Sequence, residues 1–188
     1  AKAQHELKIA GITPDKNTII DQLSRRLKQR PDDLEGWKLY ARALASMRRF
    51  ADAITAYQQA IRLAPEDSNL WSQLAEAQIY AAGGTITPAA KATIKKVMLI
   101  DPTDPRARYY AGMAAREAGE SKKALKTWLA LEADSKPNAP WQKLLGQRIS
   151  QTARDNGISA SALAKIRRNL NTQKKNLLSG KTRLADIS

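Results

Sequence analysis

No cysteine occurs anywhere in the 188 residues, which excludes disulfides, thiolate metal sites and thiol chemistry. The redox compartment stays open, since a cysteine-free chain suits cytoplasm and periplasm alike. Histidine is almost as scarce: His5 is the single one and lies near the N-terminus, so a histidine general base is nearly excluded and His5 reads as a solvated side chain. No serine has a usable histidine, no motif sets two carboxylates as acid and base, and neither G-x-x-x-x-G-K-[ST] nor G-x-G-x-x-G is present. The chain therefore does not read as an enzyme, and no metal or cofactor is expected. Without a C-x-x-C-H it cannot itself attach a c-type haem. Apolar runs are short, the longest being Val97-Met98-Leu99-Ile100, far below the ~18 residues that span a bilayer. The start at Ala1, with no initiator methionine or signal-peptide pattern, leaves room for an export or membrane segment upstream.

What is present is helical patterning. From Leu34 to Asp67, Trp37, Tyr40, Ala41 and Leu44 fall at i, i+3, i+4, i+7 and make one helix stripe. On a second helix Ala53 and Ala60 flank Tyr57, small residues permitting close approach while the ring fills the gap, and Pro65 stops the helix. This spacing resembles a tetratricopeptide repeat, a helix-turn-helix unit that stacks into a solenoid. Aromatics are only 5% of the chain, yet Trp37, Trp71 and Trp128 all fall at repeat positions and read as inter-helix core.

Taken in order, residues 1–14 read as a short helix or a loose lead. Asn17 or Thr18 caps a helix whose stripe is Ile19, Ile20, Leu23 and Leu27, ending before Pro31 and capping the first full repeat. Repeats are expected at about 34–67, 68–104 and 105–137. Ser68 is the expected cap of the second repeat, whose inter-helix turn Gly83-Gly84-Thr85-Ile86-Thr87-Pro88 is three residues longer than in the first. Thr87 caps its second helix with Pro88 at the first helical position. In the third repeat Arg108 stands where Trp is expected, Gly119 marks the turn and Ser121 caps the second helix. A capping helix follows over 141–156, stopped by Asn156-Gly157. The expected organisation is thus an all-α solenoid domain over 1–156, with capping helices at 17–30 and 141–156, followed by a basic helix and tail over 157–188. The last helix is expected from Ser161 to about Leu178, with Lys181 to Ser188 disordered.

Certain residues are more specific than the generic repeat. Pro31-Asp32-Asp33, Gly36-Trp37, Arg49-Phe50, Ala56-Tyr57, Ala60-Ile61, Ala75-Glu76-Ala77 before Ala82-Gly83-Gly84, Asp101-Pro102, Gly112-Met113-Ala114-Ala115, and Ala124-Leu125 with Trp128 occur in that order. Over about residues 18–155 the chain resembles the repeat domain of the CcmI/CycH family, membrane-anchored repeat proteins of cytochrome c maturation. That resemblance implies an apocytochrome c chaperone, on the periplasmic domain of an inner-membrane-anchored protein. It would bind the C-terminal helix of the apocytochrome and work with the haem-ligation complex proteins. A generic repeat assembly factor, such as one for nitrite reductase maturation, is the neighbouring reading.

In such arrays the first helix of each repeat lines the concave groove. Its exposed positions are read as Glu35, Lys38, Arg42 and Ser46, then Asn69, Ser72, Glu76 and Tyr80, then Arg106, Tyr109, Met113 and Arg116. The mixture suits an amphipathic helix or a peptide carboxylate, which Arg holds bidentately. Lys38, Arg42, Arg106 and Arg116 supply charge; Tyr109 and Met113 supply apolar contact. The other feature is a net charge of +14. From Ser159 onward Lys165, Arg167, Arg168, Lys174, Lys175, Lys181 and Arg183 face one acid, Asp186. This segment suits contact with an anionic membrane. Nucleic acid is the poorer partner, as no aromatic offers a stacking platform there.

Overall fold

The computed structural model describes residues 16–178, all helix and turn with no strand among them. The expected lead over 1–14 and the expected disordered end at 181–188 lie outside those residues. Helices run α1 (Lys16–Gln29), α2 (Leu34–Ser46), α3 (Phe50–Leu63), α4 (Ser68–Ala81), α5 (Pro88–Ile100), α6 (Pro105–Glu117), α7 (Ser121–Asp134), α8 (Gln142–Asp155) and α9 (Ala160–Leu178). The fold is an all-α helical solenoid of helix-turn-helix repeats. None of these helices is long and apolar enough to cross a membrane.

One short signal, Pro-x-Asp, starts the first helix of all three repeats. It occurs as Pro31-Asp32-Asp33, Pro65-Glu66-Asp67 and Pro102-Thr103-Asp104. Each Asp is the N-cap: Asp33 accepts from Gly36 N, Asp67 from Asn69 N and Leu70 N, and Asp104 from Ala107 N. The Gly36 hydrogen bond, opposed by burial and helped by Arg26 at 2.6 Å, holds the Asp33 carboxyl below the usual carboxylate range. Ser68, expected as the cap of α4, is its first residue, because the carboxylate one position earlier takes the free N–H groups. Ser121 is likewise the first residue of α7, whose N-cap Glu120 makes no side-chain capping bond. Thr87 and Pro88 do start α5 as read, with the Thr87 hydroxyl accepting from Ala90 N at 3.2 Å.

The first helices also end alike. Arg48, Gly83, Gly119 and Gly157 adopt φ of 60°, 65°, 79° and 70°. The amides that follow them, of Arg49, Gly84, Glu120 and Ile158, reach back five residues to the carbonyls of Leu44, Ile79, Ala115 and Ala153. This is a Schellman stop, for which glycine is the unstrained choice, and Arg48 carries it at a backbone cost. The same stop after α8 shows that α8 and α9 continue the helix-turn-helix pattern.

Two compact bodies result, divided after Asp101. In the N-terminal body α1 packs on α2, α2 on α3, α3 on α4 and α4 on α5. Its core holds Leu44, Leu70, Ala53, Ala60 and the Tyr57 ring, whose hydroxyl donates to Gln73 Oε1 on α4 at 3.0 Å. Within the α1 stripe Ile20, Leu23 and Leu27 are buried, whereas Ile19 is exposed because it falls beside that i, i+3, i+7 line. Trp37 and Trp71 cover this core half-buried, each indole N–H donating to a proline carbonyl six residues earlier, Pro31 and Pro65. In the C-terminal body Trp128 is fully buried among Leu125, Leu131, Leu145 and Ile149. Its indole donates to the Tyr109 carbonyl at 2.9 Å and lies where a Cβ on Gly112 would stand, 2.6 Å from ring carbons. The basic helix α9 belongs to this body, packing on both α7 and α8.

Candidate functional site

The exposed face of each first helix follows from the stripe that the core consumes. With Ala41 and Leu44 buried, the open line of α2 runs Glu35, Leu39, Arg42, Ser46; on α4, with Leu70, Leu74 and Ala77 buried, it runs Asn69, Gln73, Glu76, Tyr80. The sequence reading placed Lys38 and Ser72 on this face, one position too early. Ser72 is only 1% exposed, a correction to its expected place in a groove. Its short side chain sinks where Lys38, at the same register one repeat earlier, extends outward along its stem. Leu39, exposed by 47%, and the half-buried Gln73 are the residues that reading missed.

Lys38 is tied up internally. Its ammonium meets Glu35 at 3.1 Å and Asp67, the N-cap carboxylate of α4, at 3.2 Å. The Glu35 bond, against burial and with Asp67, pushes its pKa above the ordinary lysine value. It stays charged at neutral pH and links repeat 1 to repeat 2. Arg42 is exposed, and among the described residues no ion pair engages its guanidinium. Asn69 is exposed and Glu76 half-buried. Tyr80, half exposed, lies against Phe50 with ring centres 5.4 Å apart, and the Arg48 guanidinium stands 5.9 Å from that Phe50 ring. The N-terminal body thus offers a free guanidinium, a carboxylate and a layered aromatic edge.

In the C-terminal body Arg106 and Arg116 are exposed on α6. Tyr109 and Met113 are half-buried against the core. The Tyr109 ring sits 5.4 Å from Tyr110 and 6.2 Å from Trp128, so it is largely structural. Arg116 reaches Asp155 at the end of α8 at 3.5 Å, linking the C-terminal turns of the two first helices. The line therefore continues on α8 through Leu144, Gln147, Gln151 and Arg154, which edge a shallow cleft of about 630 Å³. Its signal in the sequence was the same helical offset carried into a segment read only as a cap.

Chemically these are two faces of mixed donors, acceptors and apolar area. Among the described residues no cluster of His, Cys, Asp or Glu could hold a metal ion.

Residues 17–142 match the family described as cytochrome c-type biogenesis protein H TPR domain. The chain is 33% identical over 136 residues to the cytochrome c-type biogenesis protein CycH of Bradyrhizobium diazoefficiens, covering 72% of this chain and 37% of that protein. With CycH of Rhizobium meliloti it shares 32% identity over 146 residues, 78% of this chain and 38% of that one. It thus spans rather more than a third of the length of these relatives. In fold it is similar to the crystal structure of MamA, with a TM-score of 0.67 at 16% identity over 93% of this chain and 95% of that one.

Proposed function

Because the chain belongs to the CycH TPR family of cytochrome c-type biogenesis, we propose that it is a non-catalytic peptide-binding scaffold that chaperones apocytochrome c. It takes the C-terminal helix of the unfolded apocytochrome on its first-helix faces and passes the polypeptide to the haem-ligation complex proteins. This action belongs in the periplasm, on a domain whose parent protein is anchored in the inner membrane.

The observation that carries the reading is the open line of α2 and α4. Arg42 and Tyr80 are exposed there with neither consumed by the core, and an amphipathic helix needs one charged and one apolar contact repeated at helical spacing. On the C-terminal body Arg106 and Arg116 supply charge and Met113 with Leu144 supply apolar area. Lys38, Asn69, Glu76 and Tyr109 flank the contact.

The test is Arg42→Ala with Tyr80→Ala, titrated with a C-terminal helix peptide of apocytochrome c. Both side chains are exposed, so the fold survives, and affinity falls about tenfold or more, as for loss of a central anchor. Unchanged affinity in the folded double variant would place the peptide elsewhere.

A further inference from the structure

Helix α9 carries Lys165, Arg167, Arg168, Lys174 and Lys175 and no acid. Those five cations divide by face. Arg167 turns inward, its Nε and Nη2 donating to Glu132 on α7 at 2.7 and 2.9 Å. Lys174 also turns inward, to the Ala133 carbonyl at 2.7 Å and Asp134 at 3.2 Å. With Leu163 buried, these contacts fix which side of α9 meets the body.

Lys165, Arg168 and Lys175 share the opposite side. At 100° and 1.5 Å per residue they lie within an arc of about 80° and along about 15 Å of the helix. All three are exposed, and no ion pair engages them among the described residues. Ser161 and Thr172 complete this face, which is polar throughout.

We propose that this outer face of α9 docks the protein on an anionic phospholipid surface. Charge complementarity carries the inference. A row of free cations with no apolar or aromatic anchor offers a protein partner no hot spot and a single strand no stacking platform. A delocalised layer of lipid phosphates needs neither, and each cation near such a layer contributes about a fivefold gain in binding. The inward ion pairs set the orientation, holding the helix side-on with its outer row toward the lipid. This surface shares no residue with the faces proposed for peptide binding.

The test is flotation of the full chain with vesicles of phosphatidylcholine alone and with about a third phosphatidylglycerol, at low and raised salt. Binding is expected only to the anionic vesicles, falling with salt, and on the order of a hundredfold weaker in Lys165→Gln, Arg168→Gln, Lys175→Gln. A control, Arg25→Gln, Lys28→Gln, Lys91→Gln, removes the same charge from exposed positions elsewhere and retains binding. Equal loss in both variants would reduce the effect to net charge, and no binding to anionic vesicles would also overturn the proposal. Tighter, α9-dependent capture of a single-stranded DNA than of the vesicles would overturn it in favour of nucleic acid.

Discussion

Gly112 and Trp128 fix each other. The indole is wholly buried, its N–H satisfied by the Tyr109 carbonyl, and its ring occupies the space above the Gly112 Cα. Gly112→Ala therefore forces the ring off its site and costs about 1–3 kcal/mol, read from urea unfolding. Truncating Trp128 to Ala costs about 3–5 kcal/mol, as expected for a large buried ring. At this scale the sequence was informative about position and weaker about depth. All three repeat tryptophans read as core, yet only Trp128 is enclosed. Trp37 and Trp71 lie half-open with the indole N–H on a proline carbonyl, since a polar edge in contact with backbone need not be submerged. Ser72 failed for a related reason. A one-residue offset is 100° of helix rotation, enough to move a side chain from the open face into the packed one.

Among elements, the first helices owe their starts to the Pro-x-Asp signal. Asp67 carries more than its cap, since it also receives Lys38 from the preceding repeat. Asp67→Ala should cost about 1 kcal/mol for the cap and also leave Lys38 with Glu35 alone, so Lys38→Ala should cost less in that background than by itself. A double-mutant cycle followed by thermal unfolding checks this. These boundaries were readable to within a residue because proline, aspartate and glycine act locally; the exception at Arg48 has no local signature beyond its place between two helical stripes.

Helix α9 was legible as a basic helix, but its attachment to α7 was not, because Arg167–Glu132 and Lys174–Asp134 pair residues far apart in the chain. Burial pushes Asp134 up, but the hydrogen bonds from Arg108 and Lys174 outweigh it and hold the carboxyl below the ordinary carboxylate value. Since the folded pKa is depressed, this contribution is full above the unfolded value near ~3.9 and is lost as pH falls through the folded one. Stability of the C-terminal body should therefore drop on acidification below about pH 4. Asp134→Asn should flatten that part of the profile, as measured by denaturant midpoints across the acid range.

For the whole molecule, the repeat periodicity announced the all-α fold, and the family similarity placed the chain in the CycH TPR family. The faces proposed for binding were only partly legible. Their helical register could be read, but which members the core or an internal ion pair would consume depends on packing between helices, as Lys38 and Tyr109 show. The extension onto α8 was missed because that segment matches no repeat consensus and so read only as a cap.

The function we propose turns on recognition of an unfolded cytochrome polypeptide. Calorimetric titration of the chain with haem-free cytochrome c, its isolated C-terminal helix peptide and the folded holocytochrome, each at two salt concentrations, tests it most directly. The haem-free form and the peptide are expected to bind with modest salt dependence, and the folded holocytochrome is not expected to bind. Equal, strongly salt-dependent binding to all three, or no binding to any, would contradict it.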